Sequence, residues 1–195
     1  MKTVQMSPEQ MSRYMIRFKD LVPNKARTGD RIPPAAREML TARATKTVIA
    51  HSGASNTPWG AGGVGGPIPG PKDFAVVIAE CEPHNGPGLH SHAKSTETFT
   101  CIQGRFRIEW GDKAEHSVEL GLFDTISVPP GVMRRFQNIS DETGLLYVIL
   151  QGGERGLGDV EFAPSVGAEI KEKFGDGVLK ELEGVGYSFD AGLER

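Results

Sequence analysis

The chain has 195 residues, which is enough for one domain with a sizeable core and additional extensions. Its formal net charge of −3 supplies no overall positive field, so we expect neither nucleic acid nor an anionic membrane as a partner. Hydrophobic residues make up 38% and charged residues 24% of the chain, as in ordinary globular proteins. We therefore expect the partner to be a small-molecule ligand.

The N-terminal segment predicts a helix and a cytoplasmic location. The first twenty residues contain no uninterrupted apolar run, so we expect no secretory signal and no membrane span. A helix start is indicated at residues 7–10, with Ser7 as the cap and Pro8 in the first turn. Its apolar stripe is predicted to pack on the domain itself or on a second subunit. The stripe consists of Met11, Tyr14, Met15 and Phe18.

Glycine and proline dominate residues 59–71, after a predicted short helix over 35–42 and a strand over 45–50. Residues 60–65 match the dinucleotide pattern G-x-G-x-x-G, but the prolines at 67, 69 and 71 forbid the helix that must follow it. We therefore expect no nucleotide cofactor. The segment is interpreted as a loop, which is either a cover for a pocket or disordered.

Residues 73–151 alternate short β-rich runs with turn residues, a pattern that predicts an antiparallel barrel or sandwich. Both cysteines, Cys81 and Cys101, lie in such runs without a C-x-x-C motif, so they are predicted to be buried free thiols. The strands are predicted at 74–81, 95–102, 106–110, 117–120, 125–128, 133–138 and 145–150.

Residues 152–195 carry no chemical signature in the sequence. A helix is predicted over 166–174 and a second short helix after it. This C-terminal extension is expected to pack outside the barrel or on a partner subunit.

Two imidazoles and a carboxylate fall within eight residues: His90, His92 and Glu97. Alternation along a strand places the two histidines on one face, and the four residues after them allow the chain to return with Glu97 on the neighbouring strand. Imidazole and carboxylate are ligands for iron, manganese, nickel and zinc, and two histidines with one carboxylate form a known iron triad. These three residues are therefore the predicted metal ligands.

The spacing of these ligands resembles the first motif of the cupin superfamily, from His90 through Glu97 to Gly104. A second motif of that family is recognisable in Pro129, Gly131 and Asn138. Cupins carry a third metal-binding histidine between this turn and the asparagine, and here Arg134 occupies that position. The sequence thus resembles a cupin with an altered second motif.

The resemblance implies an all-β fold, a double-stranded β-helix in the form of a jelly-roll barrel with its site at the open end. Together with the helical segments, it predicts an N-terminal extension over 1–72, a barrel over 73–151 and a C-terminal extension over 152–195. Family habit and the N-terminal stripe together imply a homodimer. Since cupins include dioxygenases, isomerases, decarboxylases and binding proteins, the resemblance leaves the reaction open.

Arg134 leaves two arrangements open, because a guanidinium has no lone pair for a metal. It either turns away from the three ligands or points inward and binds an anionic ligand, in which case Glu97 could pair with it instead of a metal. By alternation Phe99 shares a face with Glu97. Arg134 and Phe99 are therefore the predicted substrate-binding residues, although core packing is the simpler role for Phe99.

The function predicted first is a metalloenzyme acting on a small anionic or oxygenated organic substrate, with dioxygenase chemistry favoured. The cofactor would be a divalent metal ion, with Fe(II) ahead of Mn, Ni or Zn. Two alternatives stay open: a non-catalytic binding or regulatory protein with a metal-free pocket, and a metal-free isomerase or epimerase. The sequence identifies no catalytic residue beyond these ligands.

Overall fold

The computed structural model describes residues 1–24, 31–51, 66–152 and 159–193. Within these ranges the chain forms two β-sheets, with short helices before the barrel and two longer helices after it. The predicted all-β double-stranded β-helix with helical extensions is therefore confirmed. The division into units at residues 72 and 151 stays a prediction. The strands are β1 (Ala44–Ala50), β2 (Ile68–Pro69), β3 (Phe74–Cys81), β4 (His90–His92), β5 (Thr96–Gln103), β6 (Phe106–Trp110), β7 (His116–Leu120), β8 (Thr125–Val128), β9 (Arg134–Asn138), β10 (Gly144–Gln151) and β11 (Val160–Phe162).

The first sheet has the strand order β2-β1-β3-β10-β5-β8, and the second has the order β11-β4-β9-β6-β7. Apart from β1 with β2, the paired strands are antiparallel. Consecutive strands β4 and β5 therefore belong to different sheets. This crossing places side chains from β4 and β5 on opposite walls of one interior.

Alternating burial along the strands builds the core between the sheets. In β5 every second residue from Glu97 to Cys101 is buried, and β10 alternates in the same way. Threonines occupy the intervening positions of β5, where β-branched side chains suit a strand. Phe99, Phe106 and Phe136 stack edge to face in the centre of this core, and both cysteines are buried free thiols, as predicted.

The N-terminal segment differs from the sequence-based expectation. Ser7 and Gln10 form the predicted reciprocal cap, but helix α1 covers only Pro8–Met11 and is followed by short 3-10 turns. The side chains of the stripe, Met11 to Phe18, are between 48% and 58% exposed. A helix of one turn is marginal without tertiary packing, which explains its early end. The stripe contacts its own domain in part, since Nζ of Lys46 on β1 lies 4.6 Å from the centre of the Phe18 ring. Packing on a second subunit stays a prediction.

A second hydrophobic cluster joins the two extensions to the barrel. Helix α2 (Pro34–Glu38), α3 (Pro164–Phe174) and α4 (Asp176–Gly184) contribute to it. Ile170 and Leu182 are fully buried there with Phe162 of β11 and with Ile32 and Leu40 from the N-terminal segment. Both predicted C-terminal helices are thus present, and β11 is an additional strand that the sequence did not reveal.

Most of the predicted Gly/Pro-rich loop, including the G-x-G-x-x-G match at 60–65, lies outside the described residues. The part described forms β2, which runs parallel to β1 through Ile49 and Ile68. In the described ranges, no helix is both long enough and apolar enough to cross a membrane.

Candidate metal centre

His90, His92 and Glu97 converge in the barrel interior. One nitrogen or oxygen of each side chain lies within 4.8 Å of those of the other two. The Oε2 atom of Glu97 is 3.4 Å from Nε2 of His92 and 3.8 Å from Nε2 of His90. All three side chains are buried. The predicted set is therefore brought together, although Glu97 reaches it from the facing sheet and not from a strand paired with β4.

The outer nitrogen of each imidazole is fixed by a hydrogen-bond acceptor. Nδ1 of His90 lies 2.8 Å from the carbonyl oxygen of Gly88, and Nδ1 of His92 lies 2.9 Å from a carboxylate oxygen of Asp159. Because these oxygens only accept, each Nδ1 must carry the hydrogen and donate it. In the neutral form, each ring then directs the lone pair of Nε2 toward Glu97.

The charges in this cluster are unevenly stabilised. Burial lowers the pKa of His90 and favours its neutral form. Burial has the same tendency at His92, but the carboxylates of Glu97 and Asp159 outweigh it and raise the pKa of that ring. Glu97 remains a carboxylate, since the neighbouring His92 and Arg134 overcome its burial and hold its pKa well below the usual range. The negative charge of Glu97 thus lies next to the Nε2 atoms of two imidazoles.

Arg134 lies directly beside the centre, where β9 pairs with β4 through His90 and Arg134. Its Nε donates to Oε2 of Glu97 at 3.1 Å and its Nη1 donates to the carbonyl of Val132 at 2.9 Å. The side chain is fully buried, and its Nη2 has no hydrogen-bond partner among the described residues. Of the two predicted arrangements, the structure shows the arginine paired with Glu97.

Asp159 is a partner of His92 that the sequence did not reveal. Besides His92, its carboxylate accepts from the backbone N–H groups of Lys94 and Ser95 at 2.6 and 2.8 Å. These donors and His92 outweigh the effect of burial and lower the pKa of Asp159. The expectation that residues 152–195 carry no chemistry is therefore corrected. A single aspartate beyond a Gly-rich stretch has no motif, and only the adjacent strand-like Val160–Phe162 could have drawn attention to it.

The second motif has a structural role around Asn138. This fully buried side chain donates to the carbonyls of Cys81 and Glu142 and accepts from both the backbone N–H and the hydroxyl of Ser140. Gly104 of the first motif has φ +78°, and an added Cβ would lie 2.7 Å from Ser140 Oγ. Both motif residues thus hold the turns at the end of the barrel.

A cavity of about 510 Å³ reaches the three converging side chains. Its wall includes Val148 and Leu150 of β10, residues 40–43 of the N-terminal extension, and Phe162 and Tyr187 of the C-terminal extension. Phe99 and Arg134 are not among the described residues that line it. Phe99 packs against Phe136 at 5.3 Å between ring centroids, because it lies deeper in the core. Its role as a substrate contact stays a prediction, and so does that of Arg134.

The donor set fits a divalent metal ion. Two imidazole nitrogens and one carboxylate oxygen face each other, and ligand atoms about 2.0–2.2 Å from a common ion would lie roughly 3.0–3.4 Å apart. The separations of 3.4 and 3.8 Å from Glu97 Oε2 are near that range. Arg134 pairs with Glu97 from one side, but the lone pairs of both Nε2 atoms still face the same carboxylate. A proton or a metal ion between these atoms would relieve that opposition.

Comparison with known proteins gives a family assignment for the barrel. Residues 77–150 match the family model described as the cupin domain. A search of curated proteins gives no match.

Several solved structures are similar at low identity. One is a Klebsiella pneumoniae protein with a double-stranded beta-helix domain, at 22% identity over 43% of this chain and 70% of that one, with a TM-score of 0.39. A sugar phosphate isomerase of a cupin superfamily from Silicibacter pomeroyi is 20% identical over 42% of this chain and 52% of that one, with a TM-score of 0.38. A protein from Thermus thermophilus is 13% identical over 71% of this chain and 97% of that one, with a TM-score of 0.44.

The matched segment contains both motifs and all three of the converging side chains. It also spans the strands from β4 to β10 that form the two walls of the interior. The chain thus carries a segment over residues 77–150 that matches the cupin domain.

Proposed function

We propose that this protein is a metalloenzyme in which His90, His92 and Glu97 hold a single divalent metal ion. The observation that carries the proposal is the fixed orientation of both imidazoles. Gly88 and Asp159 occupy the outer nitrogens, so that both inner nitrogens face Glu97. Outer partners of this kind orient histidine ligands in metalloproteins and raise their basicity.

The three residues suit a metal that keeps open coordination positions for substrate. Two histidines and one carboxylate favour Fe(II), with Mn, Ni and Zn as alternatives. Bound there, such an ion would supply Lewis acidity or oxygen activation, and dioxygenase chemistry on a small oxygenated organic acid is the reaction we favour. Arg134 keeps Glu97 ionised through their buried ion pair.

A second candidate function is a metal-free binding pocket, and one observation favours it. The guanidinium of Arg134 already neutralises Glu97 through a buried ion pair. A cationic His92 would add to that neutralisation, because its pKa is raised by the two carboxylates beside it. In that form the pocket would recognise a small anion without a metal.

The two functions are separated by metal analysis of protein purified without chelators. We expect about one equivalent of metal in the wild-type chain and none in His92→Ala. His116→Ala removes an exposed imidazole away from the cavity and should leave the metal content unchanged. Because a proton competes for His92, the metal affinity should fall as the pH drops through the raised pKa of that ring. A chain that stays empty after titration with Fe(II), Mn(II), Ni(II) and Zn(II) would leave the metal-free pocket as the function.

A further inference from the structure

The cavity wall next to the candidate metal centre is apolar over a continuous surface. Glu97 on β5 lies opposite Leu150 on β10. Val148, two residues before Leu150 on β10, lies opposite Val77 on β3. The side chains of these four residues all line the cavity. An apolar strip therefore begins beside the carboxylate and crosses two strands of the first sheet.

The extensions add further apolar wall. Leu40 and Ala42 from the N-terminal segment and Phe162 from β11 line the same cavity and are almost fully buried. All three residues lie outside the segment that matches the cupin family, residues 77–150. Part of the apolar cavity wall thus comes from segments outside the matched cupin domain.

Three polar side chains at the cavity, Thr41, Thr45 and Arg43, are paired with protein groups. The hydroxyl of Thr41 lies 3.2 Å from that of Thr45, and Arg43 forms an ion pair with Glu82. A hydroxyl of a ligand placed against the valine and leucine walls would lose water without gaining a partner. An apolar group in the same place would gain from leaving water.

Resting on the proposed function, we infer that the ligand of this site has an oxygen-bearing head and an apolar body about the size of an aromatic ring. The head would be a carboxylate with a neighbouring hydroxyl or ketone, directed at the metal ion that His90, His92 and Glu97 would hold. The body would lie against Val77, Val148 and Leu150. A volume of about 510 Å³ is within the range of pockets that enclose ligands larger than a three-carbon acid. A polyhydroxylated ligand such as a sugar acid is disfavoured.

Three acids with the same 2-hydroxycarboxylate head test this inference: lactate, gluconate and 3-phenyllactate. Their dissociation constants would be measured by calorimetry on the full chain, once after chelator treatment and once with one equivalent of Zn(II). We expect 3-phenyllactate to bind at least about tenfold more tightly than lactate, and gluconate no more tightly than lactate. Equal affinities for lactate and 3-phenyllactate, or tighter binding of gluconate, would overturn the inference.

A narrowing variant adds an independent test. Ala79→Leu places an extra side chain in the cavity wall, and Ala35→Leu makes the same change at an exposed position of α2 that does not line the cavity. Only the first should abolish the advantage of 3-phenyllactate, and both should keep the wild-type metal affinity. If circular dichroism shows that Ala79→Leu does not fold, the affinities of the three acids for the wild-type chain still test whether the ligand has an apolar body. Failure to bind metal would contradict the proposed function, while the order of the acids on the metal-free chain would still decide the ligand class.

Discussion

At the scale of single residues, His92 is held from both sides. Asp159 accepts from its Nδ1, and its Nε2 faces Glu97 at 3.4 Å. The same aspartate fixes the chain after β4 by accepting from the backbone of Lys94 and Ser95. Asp159 therefore acts as a positioning residue for His92, since it sets both the tautomer and the angle of the ring.

Replacing this aspartate by an amide should weaken metal binding. In Asp159→Asn the single remaining oxygen can serve either His92 or the two backbone N–H groups, but the amide NH₂ must then face the other donors. We expect a loss of about 10- to 100-fold in metal affinity, measured by competition with a chromophoric chelator. The ¹⁵N shifts of His92 in the metal-free protein should also move toward the Nε2–H tautomer.

Asp176→Asn is the matched control, because Asp176 pairs with two surface lysines, Lys171 and Lys180, away from the cavity. This variant should leave both the metal affinity and the ¹⁵N shifts of His92 unchanged. Unaltered metal affinity and an unaltered tautomer in Asp159→Asn would show that Asp159 does not orient His92.

Arg134 should oppose metal binding while stabilising the metal-free chain. Arg134→Met removes a positive charge 3.1 Å from Glu97, so we expect metal affinity to rise at least about tenfold. The variant also leaves a buried carboxylate unpaired, which should lower the free energy of unfolding of the metal-free protein by about 3–5 kcal/mol. Urea unfolding with and without metal measures both effects.

Arg135→Met provides the comparison, since Arg135 pairs with Glu109 on the outer side and is 43% exposed at the side chain. That change should cost no more than about 1 kcal/mol and leave metal affinity unaltered. Weaker metal binding in Arg134→Met would instead identify the arginine as a group that holds Glu97 in position for the metal.

The three ligands could be predicted from sequence because their spacing reflects strand alternation and a short turn. The two-residue period of a strand is enough to predict that His90 and His92 lie on the same face of β4. Asp159 could not be predicted, because the 67 residues that separate it from His92 set no local pattern. The pairing of Arg134 with Glu97 was one of two arrangements open from sequence, and only the orientation of β9 against β4 decides between them.

At the scale of elements, β11 completes the strand that carries both histidines. Val160 pairs with His92 and Phe162 pairs with His90, so β4 is covered on the side away from β9. The ring of Phe162 lies 5.6 Å from the His90 imidazole and packs with Tyr187 and Phe189. The C-terminal extension is thereby a structural part of the site.

Truncating the Phe162 side chain should destabilise the fold and loosen His90. Phe162→Ala empties a fully buried position, for which we expect a loss of about 3–5 kcal/mol in the free energy of unfolding. Phe123→Ala removes a ring that is 72% exposed and should change stability by no more than about 0.5 kcal/mol. Equal denaturation midpoints for the two variants would contradict the role assigned to β11.

Most strands of the barrel could be predicted to within a residue or so because one face of each is buried. β3, β6 and β8 have the predicted bounds, and the alternation in β5 and β10 is clear in the sequence. The short strands β2 and β11 could not be predicted, because two or three residues cannot show a period. Helix α1 was expected to be longer because its stripe has helical spacing, but spacing does not supply a packing partner.

At the scale of the whole molecule, two hydrophobic clusters meet at the cavity. One lies between the sheets, and the other joins both extensions to the second sheet. The sequence predicted the first from strand alternation. The second depends on residues more than a hundred positions apart, such as Ile32 and Leu182, and no local pattern encodes it.

The exposed N-terminal stripe agrees with the homodimer that we propose for the whole protein. Met11, Tyr14 and Met15 each expose half or more of their surface, which is unusual for a cluster of apolar side chains. We expect sedimentation velocity to show a dimer for the wild-type chain and a monomer for the triple change of these residues to serine. A wild-type monomer at micromolar concentration would exclude this role for the stripe.

The proposed site binds one metal ion through Glu97 and the inner nitrogens of His90 and His92. Anomalous diffraction from crystals soaked with Mn(II) or Zn(II) tests it most directly. We expect one strong peak within about 2.0–2.3 Å of Nε2 of His90, Nε2 of His92 and a carboxylate oxygen of Glu97. The absence of a peak there, with Arg134 still bound to Glu97 at saturating metal, would contradict it.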